Sequence, residues 1–339
     1  MPTGRTVLLA NPRGFCAGVR RAVDMAESLL RLRTPPVYGL HEIVHNRQVV
    51  ERLQAQGLVV VNTVSEAPEG ATLLLSAHGV PPVVRIESAA RRLEVIDATC
   101  PFVTKVHAEV KRYAAQGFSV ALIGHRGHDE VVGVAGEAPD RVTVIESEPE
   151  AEAFQPADPE RVAVVTQTTL SQAETDRVLE ALRRRFPNLR TPPQPDICFA
   201  TVHRQEAVRR LAQRVARILV LGSANSSNSR RLAEVAAASG AAAHLVSRLE
   251  ALDALPLDEA CIGLTAGAST PESFLAESLA RLRERGFTRV EELPAAHDEI
   301  RFELPPALRP HAPSPPAGQT APTRGPECPG RRQSPGRSS

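Results

Sequence analysis

Short β-rich apolar runs alternate with stretches of helical periodicity along most of the chain, and each run closes in a polar loop. In order, the runs and loops read VLLANPRGFC, VYGLHEIVHN, LLLSAHGV, VIDATCP, VALIGHRGHDE, VAVVTQTTLS, DICFAT, ILVLGSANSSNS and CIGLTAGAST. Strands separated by helical patterns predict stacked β-α units with mostly parallel sheets. In open α/β sheets ligands bind beyond the carboxyl ends of the strands, so chemistry is expected in this set of loops.

Their spacing contains a repeat that residue identity conceals. Cys16 to His45 is 29 positions, Cys100 to His128 is 28, and Cys198 to Ser226 is 28. Each interval holds one helical pattern: Val19, Val23, Ala26 and Leu30 after Cys16, Val103, Val106 and Val110 after Cys100, and Val208, Leu211 and Val215 in the third. A second strand and loop follows each time, at His78, Thr168 and Ser269. The pattern predicts three similar α/β lobes in a pseudo-threefold trefoil, spanning 1–97, 98–194 and 195–304 with a C-terminal closing segment. The N-terminal run VLLANPRGFC is expected to close the third lobe, making the arrangement circular. Residues 305–339 carry ten Pro and no apolar periodicity, which predicts a disordered tail.

Composition narrows the class. The chain has 339 residues, 42% of them apolar, and no run approaches the roughly 18 apolar residues of a membrane span. A soluble, cytoplasmic protein is expected, with no membrane partner. Net charge is +1, but five Arg against one Glu in the tail leave the body at −3, which argues against a nucleic-acid groove. Five cysteines in a chain without a signal-peptide pattern suit reduced thiols or metal ligands better than a disulfide framework.

Cys16, Cys100 and Cys198 fall at equivalent places in the three lobes and can therefore converge on one point. Free cysteines are commonly small buried apolar residues, but the matched intervals and polar neighbours favour a shared metal site. Three sulfur ligands leave something open. Structural zinc normally takes a fourth protein ligand, whereas a 4Fe-4S cluster held by three cysteines keeps one iron free for a substrate oxygen. Cys261 sits inside an apolar run and reads as core, and Cys328 of the tail as an idle thiol.

The polar loops complete the picture. Glu130, two residues beyond His128 at a strand end, reads as a solvated surface carboxylate when taken alone. Beside a buried anionic cluster it would hold its proton more tightly and could act as an acid. SANSSNS supplies more hydroxyls and amides than one helix cap needs, and TQTTLS and TAGASTPESF also open helices, with Ser171, and Ser269 or Thr270, as caps. His45, His78, Ser226, Ser227, Asn228 and Ser269 are expected to cradle a phosphate or diphosphate, strengthened where histidines are partly protonated. HEIVH at 41–45 matches the H-E-x-x-H zinc-protease pattern, but follows a strand rather than lying on one helical face.

Taken together, NPRGFCAGV, HEIVHN, SAHG, DATCP, GHRGHDEV, TQTTLS, NSSNS and TAGAS resemble, in order and spacing, the motifs of the 4-hydroxy-3-methylbut-2-enyl diphosphate reductases, over about residues 5 to 305. The resemblance implies a three-lobed protein around a central 4Fe-4S cluster with one open iron, held by Cys16, Cys100 and Cys198. It implies Glu130 as proton donor, working with Thr168 and His128 beside the substrate. It also implies an allylic diphosphate substrate, reduced without its hydroxyl, and an electron donor of the ferredoxin or flavodoxin type. Competing classes are an iron-sulfur hydro-lyase and a non-enzymatic iron-sulfur sensor. A carboxylate substrate would more naturally recruit arginine than this cradle.

Overall fold

The structure, a computed structural model, describes residues 4–294 and 300–309. Among them are strands β1 (Thr6–Leu9), β2 (Val37–Leu40), β3 (Leu58–Val61), β4 (Thr72–Leu75), β5 (Glu94–Asp97), β6 (Ser119–Ile123), β7 (Val142–Ile145), β8 (Val162–Thr166), β9 (Arg217–Leu221), β10 (Ala242–Val246), β11 (Cys261–Ala266) and β12 (Arg289–Glu292). They form three sheets, ordered β3-β2-β4-β5, β7-β6-β8 and β10-β9-β11-β1-β12. Every pairing between them is parallel. The continuous apolar runs explain this: parallel strands are covered on both faces, and Val120 to Ile123 and Ile218 to Leu221 are buried throughout.

The three sheets repeat one plan. β2, β6 and β9 each pair on one side with the strand that follows them, β3, β7 or β10, and on the other with β4, β8 or β11. The next position is filled by the segment leading to a cysteine: β5 before Cys100, an isolated parallel bridge of Ala163 with Arg190 before Cys198, and β1 before Cys16. β1 lies between β11 and β12, with Thr6 opposite Cys261 and Arg289, so the first strand of the chain completes the last sheet. The result is the expected trefoil of α/β lobes, closed as a ring.

Cys16, Cys100 and Cys198 are the N-cap residues of the helices Ala17–Leu32, Pro101–Ala115 and Phe199–Ala212. The first of these buries Ala22, Val23, Ala26, Leu29 and Leu30 in the core of the first lobe. The second places Val106 and Val110 against β6 and β8 residues, and the third packs Ala207, Val208 and Leu211 in the core of the third lobe. Helical periodicity thus anchors each helix so that its N-terminus points at the strand ends. Cys261 begins β11 half-buried against the same third core.

Two expectations need correction. Disorder is expected from 305 onward, but Pro306–Leu308 form a turn of 3-10 helix, and Leu308 is buried in the first-lobe core beside the helix Ala17–Leu32. One leucine with a hydrophobic seat outweighs the Pro-rich composition around it. The remaining tail, 310–339 with Cys328, lies outside the described residues. Ser269 and Thr270 are not helix caps either; Pro271 is the N-cap of Glu272–Glu284. Their hydroxyls donate instead to the carbonyls of His45 and Leu221, both at 2.9 Å.

Candidate active site

The loops at the carboxyl ends of the three sheets meet around one cavity. Its lining includes Cys16, Cys100 and Cys198, with Glu130, Thr168, His128, His45, His78, Ser226, Ser227, Asn228 and Ser269. Every site residue singled out from the sequence is therefore brought together. Lys and Arg are absent from the described lining.

The three cysteines reach the cavity from three helix N-termini, where backbone N–H groups favour negative charge. The Val19 N–H points at Cys16 Sγ over 3.4 Å, and Cys198 Sγ lies 3.1 Å from Thr201 Oγ1. Burial, then the neighbouring Cys16, pushes the Cys100 thiol up to about 12, and the same causes push Cys198 up to about 11. Without metal these thiols stay protonated at neutral pH, so metal uptake must release their protons.

The donor set fits an iron-sulfur cluster. A single tetrahedral zinc ion with bonds of about 2.3 Å requires sulfurs roughly 3.8 Å apart. Cys16, Cys100 and Cys198 line the cavity together, with no fourth cysteine in its described lining, a three-thiolate set that suits a cluster with one position left open. Gly18 keeps that space clear, because a Cβ there would stand 2.5 Å from Cys100 Sγ and 4.0 Å from Cys16 Sγ. Gly18→Ala is expected to cost about 1–3 kcal/mol through overpacking and to lower iron content per chain. A folded variant with undiminished iron would show that the sulfur has room to move.

Glu130 is 2% exposed, at the start of the short helix Asp129–Ala135. Its carboxylate accepts hydrogen bonds from the Thr168 backbone N–H at 2.7 Å and the Thr168 hydroxyl at 3.0 Å. Burial pushes its pKa up to about 7 against the pull of those two bonds. A carboxyl group in this state holds a proton part of the time near neutral pH instead of standing as a fixed anion. His128 caps the same helix by accepting from the Glu130 N–H at 3.2 Å, and burial, with the charge of His45, pushes it down to about 4.

The cradle is buried and cross-linked between lobes. The Ser227 hydroxyl accepts from Thr169 Oγ1 at 2.9 Å, and Ser226 caps the helix Ser227–Ala238 by accepting from the Ser229 N–H at 3.3 Å. Asn228 is 4% exposed, yet neither its amide oxygen nor its amide nitrogen has a hydrogen-bond partner in the protein. A buried amide with both ends unpaired costs several kcal/mol unless something else binds it. His78 Nδ1 is likewise buried without a hydrogen-bond partner, its nearest carboxylate being Asp129 Oδ2 at 3.9 Å. Burial holds His78 well below its ordinary pKa, as it does His128, so both would meet an anion as neutral donors near pH 7.

His45, His78 and Asp129 form a grouping whose ligand atoms all lie within 4.8 Å. The two imidazoles stack face to face, 3.9 Å between centroids at 15°, so their in-plane lone pairs run parallel instead of converging on one ion. Asp129 Oδ1 lies 3.4 Å from His41 Nδ1. Burial would raise that carboxyl, but the His41 bond and the histidine charges outweigh it and hold it down at about 2. HEIVH itself is not helical: His41 has φ 57° and the helix begins only at Arg47, which removes the protease geometry. Asp129, Thr201 and Gly18 were not singled out from the sequence. All three lie inside quoted loops, Gly18 in NPRGFCAGV, Asp129 in GHRGHDEV and Thr201 in DICFAT, so a local signal was at hand for each.

The family model described as "LytB protein" matches residues 7–283. The chain is 53% identical over 307 residues to the 4-hydroxy-3-methylbut-2-enyl diphosphate reductase of Acidothermus cellulolyticus, covering 90% of each. It is 48% identical to the enzyme of the same name from Mycolicibacterium gilvum, covering 91% of this chain and 93% of that one. Among solved structures, the E-1-hydroxy-2-methyl-but-2-enyl-4-diphosphate reductase of Plasmodium falciparum superposes with a TM-score of 0.84 at 32% identity, covering 90% of this chain and 97% of its own.

Proposed function

Because the chain belongs to the LytB protein family, we propose that it reduces 4-hydroxy-3-methylbut-2-enyl diphosphate to isopentenyl and dimethylallyl diphosphate, the last step of the methylerythritol phosphate route to isoprenoids. It is an iron-sulfur oxidoreductase. The observation that carries the residue assignments is the single cavity shared by three cysteines, a protonatable buried Glu130 and an unpaired Asn228 amide.

In this reading Cys16, Cys100 and Cys198 hold one 4Fe-4S cluster with an iron that no protein sulfur binds. When bound, that cluster supplies Lewis acidity toward the substrate hydroxyl and passes on electrons from a ferredoxin- or flavodoxin-type donor. The rest of the work falls to the chain's own side chains. Asn228, Ser226 and Ser227 meet the diphosphate at the start of the helix Ser227–Ala238, where free N–H groups already favour an anion, and Ser269 borders it from the loop before Glu272–Glu284. His45 and His78 close the cradle from the first lobe. Glu130, steadied by Thr168, delivers a proton so that the hydroxyl leaves as water; two electrons and a second proton on either end of the allylic unit complete the balance. His128 fixes the start of the helix that carries Glu130. A diphosphate and a cluster, both anionic, would raise the Glu130 pKa further and keep its proton in place.

The test is anaerobic preparation with iron and sulfide analysis, followed by turnover of the diphosphate with a chemical reductant. About four irons per chain and both five-carbon products are expected; a colourless protein binding zinc instead would overturn the proposal. Asn228→Ala should weaken substrate affinity roughly ten- to hundredfold, the worth of a hydrogen bond to a charged group, with the cluster spectrum unchanged. Unaltered affinity would remove Asn228 from the cradle. Among the described residues no helix is long and apolar enough to cross a membrane.

A further inference from the structure

Each helix that begins at a cysteine carries a basic side chain five or six positions later, and each of those side chains crosses to the segment that bears the next cysteine. Arg21, five after Cys16, donates through Nη1 to the carbonyl of Thr99 at 3.2 Å, one residue before Cys100. Lys105, five after Cys100, donates to the carbonyls of Gln194 at 2.7 Å and Pro195 at 3.0 Å, and pairs with Asp196 at 3.1 Å, just before Cys198. Arg204, six after Cys198 and only 1% exposed, donates from Nε and Nη2 to the carbonyl of Gly14 at 3.2 and 2.9 Å, and from Nη2 to that of Phe15 at 3.3 Å, directly before Cys16. The three links run head to tail and return to their origin.

We propose that Arg21, Lys105 and Arg204 form a closed ring of positioning residues that fixes how far apart the three cysteine sulfurs stand before a cluster is bound. The proposal rests on the iron-sulfur reading above. Backbone carbonyls between lobes need donors, and reaching across a lobe boundary takes a long side chain; a Lys or Arg supplies both. In an open chain of links one cysteine segment could drift, but in a closed cycle each is held from its own helix and from the preceding lobe. Sulfurs held near their final places need little rearrangement on metal uptake, which is why side chains that hold ligands in place contribute to metal affinity without touching the metal.

The experiment compares wild type with Arg21→Met and with the paired variant Lys105→Met/Asp196→Asn, in which charge is removed from both partners so that Asp196 is not left buried and unpaired. Apo-protein of each is reconstituted anaerobically; cluster retention against a chelator and the electron paramagnetic resonance of the reduced cluster are measured alongside circular dichroism. Both variants are expected to fold, to lose cluster roughly 10- to 100-fold more readily, and to show an altered resonance, while Lys105→Arg behaves as wild type. Arg21→Met removes one bond from a half-buried side chain, so it serves as the folded variant if the paired one does not fold. Wild-type retention and resonance in a folded variant would overturn the ring. Failure of the wild type itself to take up iron would instead defeat the iron-sulfur reading.

Discussion

Replacing Cys100 with alanine is expected to leave a folded, colourless protein with almost no iron and no turnover. Cys100 caps the helix Pro101–Ala115, and its sulfur faces the cavity against the Cα of Gly18. The helix is held independently by Val106, Val110 and Tyr113 in the second-lobe core, so loss of one partly exposed sulfur does not threaten the fold. With two cysteines left, the cluster would have a second iron without a protein ligand and a second route for solvent attack. The measurement is iron and sulfide per chain with the visible spectrum under anaerobic conditions. A Cys100→Ala protein that keeps about four irons would show that this sulfur is not a ligand, and the mechanism would lose its centre.

Glu130→Gln should retain the cluster and bind the diphosphate, yet lose roughly a hundredfold or more in turnover, the usual cost of removing a general acid. Glutamine keeps the shape of the carboxyl and can still accept the Thr168 N–H, so binding and packing are preserved while the mobile proton is gone. The same residue sets the pH dependence. With burial raising its pKa to about 7, the acid form dominates below that value and is depleted above it. Because bound diphosphate and cluster raise that value further, wild-type turnover should fall on a limb above pH 7, and the variant should lack that limb. Near-normal turnover of Glu130→Gln, or a profile unchanged from wild type, would transfer the proton to another donor.

Much of this architecture is legible in the chain before any coordinates. The near-equal intervals of 28 or 29 residues from each cysteine to the next polar loop mark out the lobes, because a β-α-β unit of similar strand and helix length imposes a similar spacing. The cavity residues are readable for the same reason: each lies just beyond a strand, where the parallel fold leaves backbone groups free. Contacts that cross lobe boundaries leave no such local trace. Nothing near Arg21, Lys105 or Arg204 tells that their partners precede a cysteine in another lobe, nor does HRGHDE tell that Asp129 will sit among three histidines. The charge state of those histidines is hidden too, since sequence gives residue type while depth of burial decides whether His78 and His128 carry a proton. Leu308 was masked by its company: ten prolines describe the segment as a whole, but a single side chain with a seat in the first core orders its own turn.

The placement of β1 between β11 and β12 bears on how such a protein is made. The loop bearing Cys16 takes its backbone support from the far end of the chain, with the Gly14 N–H on the Ala266 carbonyl at 2.9 Å and the Cys16 N–H on that of Ala268 at 3.1 Å. The opening strand leaves the ribosome first yet waits for almost the whole polypeptide before its neighbours exist, a slow, long-range pairing. Until then Cys16 has no fixed position, whatever the other two lobes have achieved. On the proposed ligand set, iron and sulfide would have a complete destination only after translation has passed β11, and a prematurely terminated polypeptide would offer them none.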